Sequence, residues 1–229
     1  MSRPYPGSVP PAAVLLDLYD TLVRSDWRVW RDAMAAHLQV PPERIGEAFD
    51  VTRPARSVGA YPDEAGDMTA ILEAAGIDPS PALVAELVAA EHEFFIGGIR
   101  LYPDSLPVVR ELRARGSKVI LVSNCSHNTG PVAHRLGLDD EFDALILSFR
   151  ARSRKPQAAI YEAALEAAGG VAPDEAVFVD DQAAYCDGAA ALGIRTLMIH
   201  RWRSEPPQLH EPEGHRTIVD LSALLGPDG

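Results

Sequence analysis

The sequence predicts an α/β fold, a doubly wound parallel sheet carrying a small all-helical domain, and three observations lead there. Short apolar runs alternate with Ala- and Leu-rich helical stretches, which is the pattern of βα units. The runs lack a polar face, so they suit strands covered on both sides. Residues 23–100, between the first two runs, read as helix almost throughout, which is too long an excursion for one crossover of a plain doubly wound sheet. The expected organisation is therefore a core of residues 1–22 and 101–229 with a helical unit, residues 23–100, inserted after the first strand.

The bulk properties narrow the function classes. A chain of 229 residues, 47% of them hydrophobic, can bury a substantial core. No apolar run approaches membrane-spanning length, and residues 1–11 are polar and proline-rich without the apolar centre of a signal peptide, so a cytoplasmic protein is expected. The formal net charge of −12 opposes nucleic acid and acidic membranes at long range, and neither is an expected partner. Cys125 and Cys186 are too few for a disulfide framework and lack metal-ligand spacing.

Taken in order, the run Ala12-Ala13-Val14-Leu15-Leu16 is a buried strand that ends in Asp17. Helices follow at 27–38, 42–50, 67–75 and 81–95, the last with Ser80 as N-cap and Pro81 at its first position. Residues 52–57, with Arg53 and Arg56, lie between two of these helices, and Gly97-Gly98 breaks the helical pattern. A helix at 104–115 stops at Gly116, and a second strand at 118–122 leads into Ser123-Asn124. A third strand, 143–148, precedes Arg150-Ala151-Arg152-Ser153-Arg154-Lys155 and a helix from Pro156 to Ala168. A fourth strand, 176–179, ends in Asp180-Asp181, and a fifth spans 195–200 before a loop and a short apolar tail, 217–225.

The strand ends gather the chemistry, because ligands of open α/β sheets sit at the carboxyl ends of their strands. Asp17 and Thr21 follow the first strand. Ser123 and Asn124 follow the second and can donate to an anion beside Asp17, although either residue also serves as a plain turn starter. Asp180 and Asp181 repel one another unless a proton or cation lies between them, so that strand end is a candidate metal site that Asp17 can complete. The basic run is an exception in an acidic chain; Lys155 can offset negative charge at the site, and Arg152 and Arg154 can reach a remote anionic part of a substrate. Arg53 and Arg56 offer the same bidentate chemistry from the helical unit.

Asp17-Leu18-Tyr19-Asp20-Thr21-Leu22 resembles the first motif of the haloacid dehalogenase-like hydrolases, usually Asp-x-Asp-Gly-Thr-Leu. Ser123 after an apolar strand, Lys155-Pro156, and Asp180-Asp181-Gln182 resemble the second, third and fourth motifs, in the same order. The resemblance implies a helical cap over the active site, with Asp17 as nucleophile and an aspartyl phosphate as intermediate. It also implies Mg²⁺ held by Asp17, the main-chain carbonyl of Tyr19 and Asp181, with Asp180 beside them, and a phosphoryl group held by Thr21, Ser123, Asn124 and Lys155. The expected activity is hydrolysis of a small phosphorylated metabolite by a monomer or homodimer.

Three positions depart from the family pattern. Tyr19 stands where the family's phosphatases carry the Asp that protonates the leaving oxygen, and a phenol with a pKa of about 10 is a poor acid for that step at neutral pH. Asp20 replaces the commonest Gly, and Tyr185 replaces a frequent acid. Dehalogenases of the family, which work without metal, also carry Tyr where Tyr19 stands, so a 2-haloacid dehalogenase is one alternative and a catalytically weak binding or regulatory protein another. The acidic pair favours the phosphatase.

Overall fold

The computed structural model describes residues 10–201 and 214–226. Most of the proline-rich start and of the expected loop before Arg216 lies outside these residues. β1 (Ala13–Leu16) is the centre of a six-stranded sheet and has every residue buried. The chain leaves it through β2 (Val23–Arg24) and four helices, α1 (Trp27–Leu38), α2 (Pro42–Arg56), α3 (Glu64–Ala74) and α4 (Pro81–Gly98), and returns through β3 (Arg100–Leu101). α5 (Ser105–Ala114), β4 (Lys118–Ser123), α6 (Thr129–Arg135), α7 (Leu138–Glu141) and β5 (Ala144–Leu147) follow. Then come α8 (Ser148–Ala151), α9 (Ala158–Ala167), β6 (Ala176–Asp180), α10 (Ala183–Ala190), β7 (Arg195–Ile199) and β8 (Arg216–Ile218).

The strand order β5-β4-β1-β6-β7-β8 is parallel throughout. The chain winds outward through β4 and β5, then crosses back over β1 to β6, so the order reverses between β1 and β6. That switch point is where an open α/β sheet leaves a crevice. Strand residues divide by alternation between two cores: Val14, Leu16, Val119, Leu121 and Val179 pack against α5 and α6, while Leu15, Ile120, Val122 and Phe178 pack against α9 and α10. Burial on both faces explains why the strands read as unbroken apolar runs.

Helices α1–α4 enclose a third cluster, including Trp30, Met34, Ile45, Met68, Ile71 and Leu87. Ser80 caps α4 by accepting from the Leu83 N–H, and Asp63 caps α3 by accepting from the Gly66 N–H. Among the described residues, no helix is long and apolar enough to cross a membrane.

Three local expectations are corrected. Residues 52–56 are not a loop: α2 continues to Arg56, because Pro54 lies in the last turn and removes only one hydrogen bond from the ladder. Gly97 and Gly98 do not break α4 but form its last turn. The tail contains β8, which extends the sheet, followed by a 3₁₀ turn at Leu221–Leu225.

Candidate active site

The first strand delivers Asp17 one residue beyond its end, where the Asp17 N–H still bonds the Val179 carbonyl at 3.0 Å. Since Leu16 pairs with Val179, Asp180 sits on the neighbouring strand at the level of Asp17. The loop after Asp17 turns sharply, with the Asp20 N–H on the Val23 carbonyl at 2.8 Å. Asp20 has φ 57°, the left-handed region that glycine enters freely and Asp enters more readily than most residues, which accounts both for the Gly of related motifs and for the Asp here. Arg201 and Ser105 fasten this loop through the Thr21 and Leu22 carbonyls, at 2.9 and 2.7 Å.

Lys155 lies between the strand ends. The residue is 1% exposed, and its ammonium donates to Asp17 Oδ1 and Asp180 Oδ2, each at 2.6 Å. Asn124 fixes the lysine's backbone from both sides, accepting from its N–H at 2.8 Å and donating to its carbonyl at 2.9 Å. Burial opposes the charge on Lys155, but Asp17 and Asp180 outweigh it and the pKa rises. The other oxygen of Asp180 accepts from the Gln182 N–H at 2.9 Å, so both of its oxygens are engaged.

Asp17, Asp180 and Asp181 bring carboxylate oxygens within 4.8 Å of one another. Burial, offset in part by Lys155 and reinforced by Asp180, raises Asp17 to about 7. Burial followed by Asp17, Asp180 and Asp20 raises Asp181 to about 8. Three carboxylates facing one ammonium leave a formal surplus of two negative charges. That surplus, in hard oxygen donors, fits Mg²⁺. Thr21 Oγ1 and Ser123 Oγ are buried without a hydrogen-bond partner, a costly state that an incoming acceptor would relieve.

A cavity of about 290 Å³ opens over this cluster. Asp17, Asp20, Asp181, Asn124 and Arg154 line its core side, and Trp27, Trp30, Arg53, Arg56 and Glu91 its helical side. The predicted residues therefore divide. Arg53 and Arg154 reach the cavity, Arg53 while paired with Asp50 at 2.7 Å. Arg56 reaches it too, but is buried, stacked on Phe49 and bonded to the Phe49 carbonyl and Thr52. Arg152 is elsewhere: its guanidinium donates to the Gly59 carbonyl in the turn after α2, so it joins the helical unit to the core rather than facing the cavity.

The Tyr19 hydroxyl is hydrogen-bonded to Thr129 Oγ1 at 2.8 Å, and burial raises its pKa well above that of a free phenol. Sequence reasoning missed Thr129, Asn128 and Glu91, and gave Gln182 no role beyond its place in the fourth motif. Asn128 and Thr129 stand at the start of α6 with no pattern to mark them, whereas Glu91 carries a signal: it interrupts the buried face of α4 between Leu87 and Phe95. A wider groove of about 860 Å³ runs between α3, α6 and α8, but holds none of the acidic cluster.

A family model described as haloacid dehalogenase-like hydrolase matches residues 11–193. The chain belongs to that family. This hydrolase is 30% identical over 220 residues to a glyceraldehyde 3-phosphate phosphatase of Methanopyrus kandleri, covering 91% of each chain. Among solved structures it resembles a phosphatase of the family from Thermococcus onnurineus, with TM-score 0.64, 22% identity, and 93% and 95% of the two chains covered. It is equally similar to an L-2-haloacid dehalogenase from Xanthobacter autotrophicus, with TM-score 0.65, 21% identity, and 93% and 96% covered. At these identities the structural likenesses speak for the fold alone.

Proposed function

We propose that the hydrolase is a Mg²⁺-dependent phosphatase acting on a small phosphorylated metabolite, with residues 23–100 as the cap that closes over it. The observation that carries this reading is the convergence of the Asp17, Asp180 and Asp181 carboxylates, with the Lys155 ammonium paired to the first two. The phosphatase relative, similar along nearly its whole length, supports it.

In the first step an oxygen of Asp17 bonds to phosphorus as the bond to the leaving oxygen breaks, giving an aspartyl phosphate. In the second, water attacks phosphorus, inorganic phosphate leaves and Asp17 is regenerated. Lys155 holds Asp17 in line and offsets the charge gathering on the phosphoryl oxygens. Thr21 and Ser123 donate their unpartnered hydroxyls to those oxygens, with Asn124 fixing the lysine beside them. Asp17, Asp181 and the Tyr19 carbonyl would hold Mg²⁺, which supplies charge neutralisation at the phosphoryl group. Asp181 suits that duty better than Asp180, whose oxygens are occupied. Arg53 and Arg154 take a remote anionic group of the substrate.

A metal-free dehalogenase is the second reading, favoured by Tyr19 at the second position after the nucleophile. A panel of phosphorylated metabolites and 2-haloacids, assayed for phosphate and halide with Mg²⁺ and with EDTA, separates the two. Phosphate release that needs Mg²⁺ and disappears in Asp181→Asn is expected; halide release undiminished by EDTA would replace the phosphatase by the dehalogenase.

A further inference from the structure

A buried carboxylate on the helical wall of the cavity has no part in the chemistry above. Glu91, on α4, is 7% exposed and lines the same cavity as Asp17 and Tyr19. A buried carboxylate on the apolar face of a helix is costly unless it is partnered or used. Its surroundings hold it without neutralising it. Arg56 of α2 and Asn128, from the loop between β4 and α6, line the cavity with it and favour its charged form, while Glu64 and Asp67 of α3 oppose its charge. Asn128 adjoins Thr129, which occupies the Tyr19 hydroxyl. Asp20, the acid next to Tyr19 in the motif, lies on the nucleophile's side of the cavity and within electrostatic reach of Asp181.

In-line displacement at phosphorus puts the leaving oxygen opposite the attacking one. Asp17 attacks from the core, so the leaving oxygen faces the helical wall. We propose that Glu91 is the acid that protonates the leaving oxygen and the base that then activates water, in place of the side chain that Tyr19 replaces. This rests on the phosphatase reading. In the first step the Asp17 oxygen–phosphorus bond forms, the bond from phosphorus to the leaving oxygen breaks, and the Glu91 proton passes to that oxygen, releasing an alcohol. In the second step the Glu91 carboxylate takes a proton from water as the water oxygen bonds to phosphorus. The bond to Asp17 breaks, phosphate leaves and Glu91 is protonated again.

The titration agrees with this duty. Burial raises Glu91 to about 7, with Arg56 and Asn128 lowering it and Glu64 and Asp67 raising it, so both protonation states are accessible near neutral pH. Glu91 arrives on the helical unit, so the proton donor is complete only when that unit lies against the core.

The test uses two probes, glycerol 3-phosphate, whose alkoxide must be protonated to leave, and 4-nitrophenyl phosphate, whose phenolate leaves unaided. For Glu91→Gln, turnover of glycerol 3-phosphate should fall by about 10²–10⁴, the usual worth of general acid catalysis. With 4-nitrophenyl phosphate the same variant should release one nitrophenolate per enzyme in a burst and then stall, because the aspartyl phosphate lacks its base. Added formate should restore turnover of glycerol 3-phosphate by Glu91→Ala. An active, folded parent whose Glu91→Gln variant loses both substrates alike without a burst, or loses neither, overturns the assignment of Glu91 while leaving the phosphatase reading intact. A parent with no Mg²⁺-dependent phosphate release from either probe removes that reading and this proposal together.

Discussion

Replacing Lys155 by Met should destabilise the metal-free protein strongly at pH 8 and weakly at pH 5.5. The ammonium touches two carboxylates at 2.6 Å. At an effective dielectric constant of about 20, each contact is worth about 6 kcal/mol of Coulomb energy, against a desolvation cost of several kcal/mol for each ion. Breaking a buried pair from one side typically costs about 3–5 kcal/mol, which in a chain of this size lowers the melting temperature by about 10 °C. The pH dependence follows from Asp17 and Asp181, which burial holds at about 7 and about 8. Between their unfolded pKa values of about 4 and these values, the folded protein binds protons that the unfolded chain has released. Stability therefore falls as pH rises through that window, more steeply once the lysine is gone. Thermal unfolding of parent and variant in EDTA at both pH values measures this. Equal melting temperatures at pH 8 would show that the lysine is not the counter-charge of the acidic cluster.

Tyr19→Phe should lower stability by about 1 kcal/mol, through the lost bond to Thr129, and leave turnover within a few-fold, as read by urea unfolding and steady-state kinetics. A collapse of activity would make the phenol an acid after all. Gly188→Ala should cost about 1–3 kcal/mol and reduce kcat, because a Cβ at that position would meet the Pro156 carbonyl oxygen at 2.8 Å and push the loop that carries Lys155. An unchanged kcat would show that the loop yields without moving the lysine. Arg56→Ala should destabilise the fold by about 2 kcal/mol, through its bonds to the Phe49 carbonyl and Thr52, and should raise the pH of the Glu91-dependent limb in kcat. A limb that stays in place would separate Arg56 from Glu91.

What the sequence made legible was whatever burial or a strand end imposed. β1, β4 and β6 are covered on both faces, so they read as short apolar runs whose periodicity alone does not exclude a buried helix, and Asp17, Ser123 and Asp180 follow from where those runs stop. The small edge pieces were opaque: β2 and β3 have two residues each, and β8 has three, below the length at which alternation can be seen. The extent of α2 was misjudged because Pro54 ends a helix by propensity yet is tolerated when only one turn remains. Arg152 and Arg154, two positions apart in a basic run, diverge because Arg152 itself takes a left-handed backbone with φ 55°, and no charge pattern reports such a turn. Glu91 was visible as an interruption in an apolar stripe, but its proximity to Asp17 depends on how α4 lies against the core.

The ribbon of β2 and β3 has a consequence for chain connectivity. Val23 lies opposite Leu101 and Arg24 opposite Arg100, so the points where the chain departs and returns are adjacent partners of one antiparallel pair, spaced by about 5 Å. As far as the sheet is concerned, the intervening 75 residues, 25–99, occupy the place of a hairpin turn. Chain excursions that start and end at the same point lengthen a loop without straining what it joins, and closure entropy grows only with the logarithm of that length. The sheet can thus host an insertion of almost any size here. A chain in which a two-residue Asn-Gly turn replaces 25–99 has the geometry to close the same ribbon.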